Sequence, residues 1–244
     1  MLDPTKNIGR NLPSNIDLAI LADIGYEIDG FTTQGSIPAL ATSEEELIFG
    51  SIINDNIDGL LGDDRIQGGL GEDTLFGSGG SDILFGQGDG DLIFGGRGED
   101  ELQGGASDDT LQGDAGNDKL FGQQGNDRLF GNDNDDQLQG GLGEDTLFGG
   151  EGNDLMQGGD DRDYFWFEAN NGQDVINEFI AAEDTIVLAA SLGFNNGAEL
   201  LDAITKTGLS STGGLFSQIT LSPENTISIF HDNPLTAENF AIDI

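Results

Sequence analysis

Thirteen aspartates stand nine residues apart without a slip: Asp55, Asp64, Asp73, Asp82, Asp91, Asp100, Asp109, Asp118, Asp127, Asp136, Asp145, Asp154 and Asp163. A row of carboxylates at a fixed period is chemistry for hard cations, which take oxygen ligands. Nitrogen and sulfur ligands are nearly missing. There is no cysteine, and the single histidine, His231, has no ligand partner in the sequence, so a His- or Cys-built zinc site is excluded. The charge supports the same chemistry: 46 acidic against 8 basic residues give −38 in 244 residues. That balance disfavours nucleic acid and anionic membranes, which need clustered Lys and Arg.

The elements that carry these aspartates are equally periodic. Two residues after each comes an apolar side chain, from Ile57 and Ile66 through Met156 and Phe165. Four residues after each comes glycine, from Gly59 to Gly158, with Phe167 the exception. An imperfect opening row has Glu46, Ile48 and Gly50 in these places. Residues 46–163 hold 28 acids, 5 bases and 30 of the 40 glycines, so this block carries −23 of the charge. A unit such as GGLGEDTLF (68–76) is six residues of turn chemistry and three of strand chemistry. One unit cannot bury its lone inward residue. Stacked units can, because inward residues form a continuous apolar column. The period therefore predicts a solenoid of very short strands, two units per coil, in two facing parallel sheets.

Stacking creates an electrostatic problem. Units eighteen residues apart lie about one strand spacing apart, ~4.8 Å, so Asp73 stands above Asp55 and Asp91 above Asp73. Aligned carboxylates at that distance repel and cannot be buried unpaired. A hard cation between coils reverses the sign. Ca²⁺ takes six to eight oxygens in irregular geometry, which glycine-rich carbonyls and Asp carboxylates can supply. Thirteen aspartates make eleven pairs eighteen residues apart, so up to about 11 Ca²⁺ are expected. Several turns are degraded, with Asn134 and Asp161 where other units have glycine.

The units resemble the GGxGxDxUx nonapeptides of RTX (repeats-in-toxin) proteins, a repeat associated with Ca²⁺-binding parallel β-helices. The resemblance implies an all-β, right-handed parallel β-roll with 18 residues per coil and Ca²⁺ held between coils on each edge. It assigns the thirteen aspartates as carboxylate ligands. It assigns carbonyl donors to the first and third turn residues, such as Gly68 and Leu70, Gly95 and Arg97, Gly140 and Leu142, and Gly149 and Glu151. It also implies a secreted, extracellular protein exported by type I secretion machinery through an uncleaved C-terminal signal.

An outward row alternates in kind between the sheets. One sheet shows Asp58, Phe76, Phe94, Gln112, Phe130, Phe148 and Trp166; the other shows Gln67, Phe85, Gln103, Phe121, Gln139 and Gln157. The aromatic row is either a stacking ladder along the sheet or a binding surface.

The flanks differ from the repeat. YFWF (164–167) is expected to plug the open end of the roll, and residues 164–244 to form a β-rich cap resembling the region after the repeats in RTX exoproteins. Within it, 170–179 and 183–188 read as strands, 197–208 as a short helix ended by Gly208, and 215–221 with 226–230 as a hairpin. Asp174 and Asp184 are further candidate Ca²⁺ ligands. Residues 31–45 read as a linker. In residues 1–30, Ser14 is a plausible N-cap, Ile16, Ile20 and Ile24 follow helical spacing, and Gly25 ends the helix. MLDPTKNIG…IDLAILADIGYEI also resembles the end of a metzincin (matrixin-like) metallopeptidase domain, which implies an upstream catalytic domain; the other reading is a small helical N-terminal cap. MLDPTKNIGR lacks the apolar core of a secretory signal, and no apolar run is long enough to span a bilayer, so no membrane insertion is expected.

The leading expectation is a non-catalytic, calcium-binding module that folds when Ca²⁺ binds outside the cell and supports secretion of a larger protein. An enzyme is the second class, but HExxH and G-x-S-x-G are both missing. An adhesive or matrix protein using the aromatic row is the third.

Overall fold

Every second residue of each repeat strand must point inward, and the inward positions are one large apolar residue and then glycine. The computed structural model describes residues 45–168, 171–194, 196–202, 204–209, 214–222 and 224–243. The expected helix and linker in residues 1–44 lie outside the described residues. The strands are β1 (Leu47–Phe49), β2 (Asn56–Asp58), β3 (Arg65–Gly69), β4 (Thr74–Gly79), β5 (Ile83–Gln87), β6 (Leu92–Arg97), β7 (Glu101–Ala106), β8 (Thr110–Ala115), β9 (Lys119–Gln124), β10 (Arg128–Asp133), β11 (Gln137–Leu142), β12 (Thr146–Glu151), β13 (Leu155–Asp160), β14 (Tyr164–Phe167), β15 (Gln173–Phe179), β16 (Thr185–Ala189), β17 (Ile204–Leu209), β18 (Leu215–Thr220), β19 (Thr226–His231) and β20 (Phe240–Asp243).

Odd strands, joined by β18, build one sheet in the order β1-β3-β5-β7-β9-β11-β13-β15-β19-β18-β17, and the remaining even strands build the other, β2-β4-β6-β8-β10-β12-β14-β16-β20. Within the repeat, pairing is parallel in an eighteen-residue register, as in Leu129 beside Leu111 and Leu147. The inward residues Ile66, Leu84, Leu102 and Leu120 on one sheet, and Leu75, Ile93, Leu111 and Leu129 on the other, are fully buried in one core. Burying one such side chain contributes ~1.5–3 kcal/mol, too little for one unit to hold its own order but enough when repeated.

Two local features depart from expectation. From β3 to β13 the strands run five or six residues rather than three, because pairing continues past the inward glycine into the turn. Each turn then bends at left-handed residues. Asn134 and Asp161 take φ of 83° and 75°, as do Asp89 at 66° and Ser107 at 83° in the same turn position, where most coils have glycine. Gly98 shows why glycine dominates there: its φ is 128°, and an added Cβ would strike the carbonyl oxygen of Gly80 in the preceding coil. Gly98→Ala is expected to lower stability by more than ~1 kcal/mol. Gly79→Ala, where the nearest atom is Leu61 Cδ2 at 3.4 Å, should stay within about 0.5 kcal/mol. Urea midpoints of the calcium-loaded chain measure both.

Residues 164–167 do not plug the roll. They form β14, a further rung between β12 and β16, with Phe165 and Phe167 buried. The sheets run on through β15 and β16, and Phe240 of β20 pairs with Ile186. Phe167 fills the place that glycine holds in the repeat. Phe179, also fully buried, tilts against Phe165 with ring centroids 5.8 Å apart. The hairpin forms as expected from β18 and β19. The helix expected over 197–208 covers only Gly197–Asp202; Ile204–Leu209 is a strand antiparallel to β18. Ile204, Thr205 and Thr207 are β-branched and favour a strand once β18 offers a ladder.

Candidate metal centres

The aspartates occupy the corners, immediately before each strand, in two columns. Asp64, Asp82, Asp100, Asp118, Asp136 and Asp154 precede odd strands; Asp55, Asp73, Asp91, Asp109, Asp127, Asp145 and Asp163 precede even ones. All thirteen side chains are buried. Every sequence-assigned carboxylate thus reaches a corner, and the columns continue into Asp174 and Asp184, also buried.

From Asp73 onward each repeat carboxylate uses its two oxygens differently. Oδ1 accepts the backbone N–H of the aspartate one coil earlier: Asp91 N–H donates to Asp109 Oδ1 at 2.7 Å, and Asp100 N–H to Asp118 Oδ1 at 2.8 Å. The sequence pattern did not reveal this ladder, which makes each aspartate a brace between coils as well as a charge. Oδ2 is the atom left open. In Asp64, Asp73, Asp82, Asp91, Asp100, Asp109, Asp118, Asp127, Asp136, Asp145, Asp154 and Asp163 it is buried without a hydrogen-bond partner.

Twelve orphaned anionic oxygens in the interior call for a counter-charge, since an unpaired buried charge costs several kcal/mol. Desolvation is the main force on these groups and pushes their pKa values up. The N–H to Oδ1 bond pulls the other way, and neighbouring carboxylates add to the rise in most of them. Asp73, Asp82, Asp118, Asp127 and Asp154 rise to about 6. Asp91, Asp100 and Asp145 rise to about 7, and Asp109, Asp136 and Asp163 to about 8.

The space in front of each Oδ2 is a cradle built by glycine. A Cβ placed on Gly59 would lie 2.6 Å from Asp64 Oδ2 and 3.0 Å from the Gly77 carbonyl oxygen. On Gly95 it would lie 2.5 Å from Asp100 Oδ2 and 2.8 Å from Gly113 O, and on Gly113 2.5 Å from Asp118 Oδ2 and 2.9 Å from Gly131 O. Any side chain there would fill a pocket lined by a carboxylate and a carbonyl from the next coil. The candidate donors Gly68, Gly95, Gly140 and Gly149 all present their carbonyls this way, against Gly50, Gly77, Gly122 and Gly131.

The third-position donors have a second duty. Arg97 O accepts Gly80 N–H at 2.9 Å, Leu142 O accepts Gly125 N–H at 2.9 Å, and Glu151 O accepts Asn134 N–H at 2.7 Å, which leaves each one lone pair. Leu70 sits in the same turn position, its own N–H bonded to Ser51 O at 3.1 Å. Among the described residues no three His, Cys, Asp or Glu side chains cluster as a metal site. The open Oδ2 atoms and the facing glycine carbonyls are an all-oxygen donor set, which suits Ca²⁺ better than zinc.

Three column ends are closed by the protein itself. Asp55 Oδ2 accepts Ser51 N–H at 2.6 Å and Ser51 Oγ–H at 2.9 Å. Asp174 Oδ2 accepts Asn171 Nδ2 at 2.6 Å, and Asp184 Oδ2 accepts Ile180 N–H at 2.7 Å. Asp55, Asp174 and Asp184 thus differ from the twelve open carboxylates, although sequence reasoning treated all as candidate ligands. The signal for the last two is the lost period: Asp174 follows Asp163 by eleven residues and Asp184 follows by ten.

Penultimate turn residues form a second, exposed ladder of opposite sense. Asp108 Oδ1 accepts Asn126 N–H at 2.7 Å and Asn126 Oδ1 accepts Glu144 N–H at 2.8 Å. His231 is structural: its ring bonds Ser217 Oγ at 2.9 Å and the Asn233 carbonyl at 2.7 Å.

The model of the RTX calcium-binding nonapeptide repeat (4 copies) matches overlapping segments 49–84, 68–102, 85–120, 94–129, 103–138, 130–165 and 139–176. No curated protein matches the chain. Among solved structures, the extracellular lipase LipA from Serratia marcescens aligns over 87% of this chain and 41% of its own, with 18% identity and a TM-score of 0.36. The present chain thus spans less than half the length of that lipase. With repeat matches running from residue 49 to residue 176, over half of its length, the chain belongs to the family of RTX calcium-binding nonapeptide repeat proteins.

Proposed function

We propose that the chain is the calcium-responsive, non-catalytic region of a type I-secreted extracellular protein, and that its parent carries a metallopeptidase domain upstream. The twelve buried, unpartnered Oδ2 atoms carry the reading. Bound calcium supplies positive charge to those oxygens. The chain's own part is to hold Oδ2 and the facing carbonyl in place through the Oδ1 ladder and the glycine cradle. In a calcium-poor cytosol the columns repel and the chain stays expanded. At extracellular calcium, binding free energy becomes folding free energy. Two shallow depressions of about 250 and 190 Å³ on the outer face of the odd sheet are lined by groups such as Gln103, Phe121 and Gln123, which supply no nucleophile–base pair.

The aromatic row supports a stacking role over an adhesive one. Phe76 and Phe94 stack at 5.0 Å and 5°, Phe130 and Phe148 at 4.7 Å and 13°, and Phe148 and Trp166 at 5.3 Å and 26°. Their faces are spent on each other, leaving mainly edges for a ligand.

Export tests the secretory part. Co-expressed with a type I apparatus in a Gram-negative host, the full chain should appear in the medium, and a chain lacking residues 235–244 should stay inside. Equal export of both would overturn the assignment of the signal to this end.

A further inference from the structure

Thirteen buried side-chain atoms lack a hydrogen-bond partner among the described residues. Twelve are the Oδ2 atoms of the repeat aspartates; the thirteenth is Asn171 Oδ1. Asn171 is only 4% exposed, and an amide oxygen buried without a partner is costly.

Asn171 lies at the C-terminal end of the odd column, in a turn that stacks on the turn before Asp154. Asp154 N–H donates to Asp174 Oδ1 at 3.0 Å, and Gln173 N–H donates to Asn153 Oδ1 at 3.0 Å. A Cβ on Gly172 would strike the Gly152 carbonyl oxygen. By the same count Asn171 falls over Glu151, the third turn position. The turn is pinned from the other side as well. Gly172 N–H donates to Asn225 Oδ1 at 3.1 Å, and Thr226 N–H donates to the Gly172 carbonyl at 2.8 Å.

The contact with Asp174 sets the orientation of the amide. Asn171 Nδ2 donates to Asp174 Oδ2 at 2.6 Å, and an ionised carboxylate only accepts, so the carbonyl oxygen is the end left over. Asp174 thus uses both oxygens within the protein. What this end of the column leaves open is Asp154 Oδ2 and Asn171 Oδ1. The repeat's own donor is also changed here. Glycine stands five residues before every repeat aspartate, from Gly50 to Gly158, but Ala169 stands five before Asp174.

We infer that Asn171 Oδ1 is a calcium ligand, completing with Asp154 Oδ2 an off-period site at the end of the odd column. An amide oxygen is a normal donor to a hard cation, and unlike a carboxylate it adds no charge beside Asp174. The inference rests on the calcium reading of the columns and adds a ligand from outside the nine-residue period.

A crystal structure of the full calcium-loaded chain tests it, with no variant required to fold. An ion should lie within the ~2.3–2.6 Å that calcium keeps from its oxygens of both Asn171 Oδ1 and Asp154 Oδ2. A water against Asn171 Oδ1, with ions elsewhere in the columns, would overturn this proposal and leave the calcium reading standing. Columns without ions would overturn both. Equilibrium dialysis supplies the count. Asn171→Leu should bind one calcium fewer per chain than the wild type, and Asn171→Asp, which keeps an oxygen in place, should bind the same number. An unchanged count in Asn171→Leu, with only a lower urea midpoint, would show that Asn171 braces Asp174 and does nothing more, and would overturn the proposal.

Discussion

Chelating calcium at neutral pH is expected to abolish most of the far-UV strand signal of residues 46–184, and acidifying the chelated sample to about pH 5 is expected to restore much of it. The repeat buries twelve carboxylate oxygens with no protein partner, each costing several kcal/mol when charged. That total exceeds the 5–15 kcal/mol by which domains are ordinarily stable. The pH effect has a defined sign. Burial raises the folded-state pKa values to about 6–8 against 3.8 for an ordinary aspartate. Above pH 8 these groups are ionised whether the chain is folded or not, and the full penalty opposes folding. As pH falls through 8 to 6, the folded state takes up protons that the unfolded chain does not yet bind, so metal-free stability increases until pH nears 4.

Calcium binding to the folded roll has the opposite dependence, because protons compete for the same oxygens. The stability that calcium adds over the chelated sample should therefore shrink as pH drops below about 7. At a hundred times its dissociation constant, each independent ion adds ~2.7 kcal/mol, so few occupied sites suffice. Circular dichroism during calcium and pH titrations checks both arms. A chelated roll that keeps its strands at neutral pH and ignores acid would contradict the account.

Asp118→Asn should change stability in opposite directions with and without calcium. Asp118 Oδ1 holds the Asp100 N–H at 2.8 Å, while Oδ2 faces the Gly131 carbonyl across the Gly113 cradle. Asparagine can keep the first contact through its amide oxygen. At the second position it replaces an anionic oxygen with an NH₂ that binds no cation. In calcium the variant loses a ligand from the middle of a column, and the calcium needed for half-folding should rise at least tenfold. In chelator at pH 7, with trimethylamine oxide added to populate the fold, the same change removes a buried charge and should stabilise.

Asp118→Ala separates the brace from the ligand. It also strips the Asp100 N–H of its acceptor, at ~1–3 kcal/mol, and should be worse than asparagine in both conditions. Urea midpoints in the two buffers read the four values. Equal destabilisation by Asp118→Asn with and without calcium would show that Asp118 is structural only.

Much of this molecule is legible because its interactions are short in register. A strict nine-residue period places residue n beside n+18 whatever the rest of the chain does, so the apolar columns of Ile66 and Leu75 and the aspartate corners follow from counting. Legibility fades where the period breaks. After Asp163 the spacings become eleven and ten, and rungs are then chosen by distant partners: Thr226 N–H bonds the Gly172 carbonyl, and Asn239 Nδ2 reaches the Ala181 carbonyl. The helix expected over 197–208 stops at Asp202, because β18 offered Ile204–Leu209 a ladder and the backbone took it.

Amino-acid order alone therefore determined that this protein is a parallel roll with carboxylates at its corners, because like residues at a constant interval can bury their apolar members only by stacking. Tertiary structure decided which oxygen of each carboxylate is spent on the backbone and which is left open. It also decided that Ser51, Asn171 and Ile180 close three of the column ends. Those choices depend on sub-ångström placement of one coil over another, which a residue count cannot resolve.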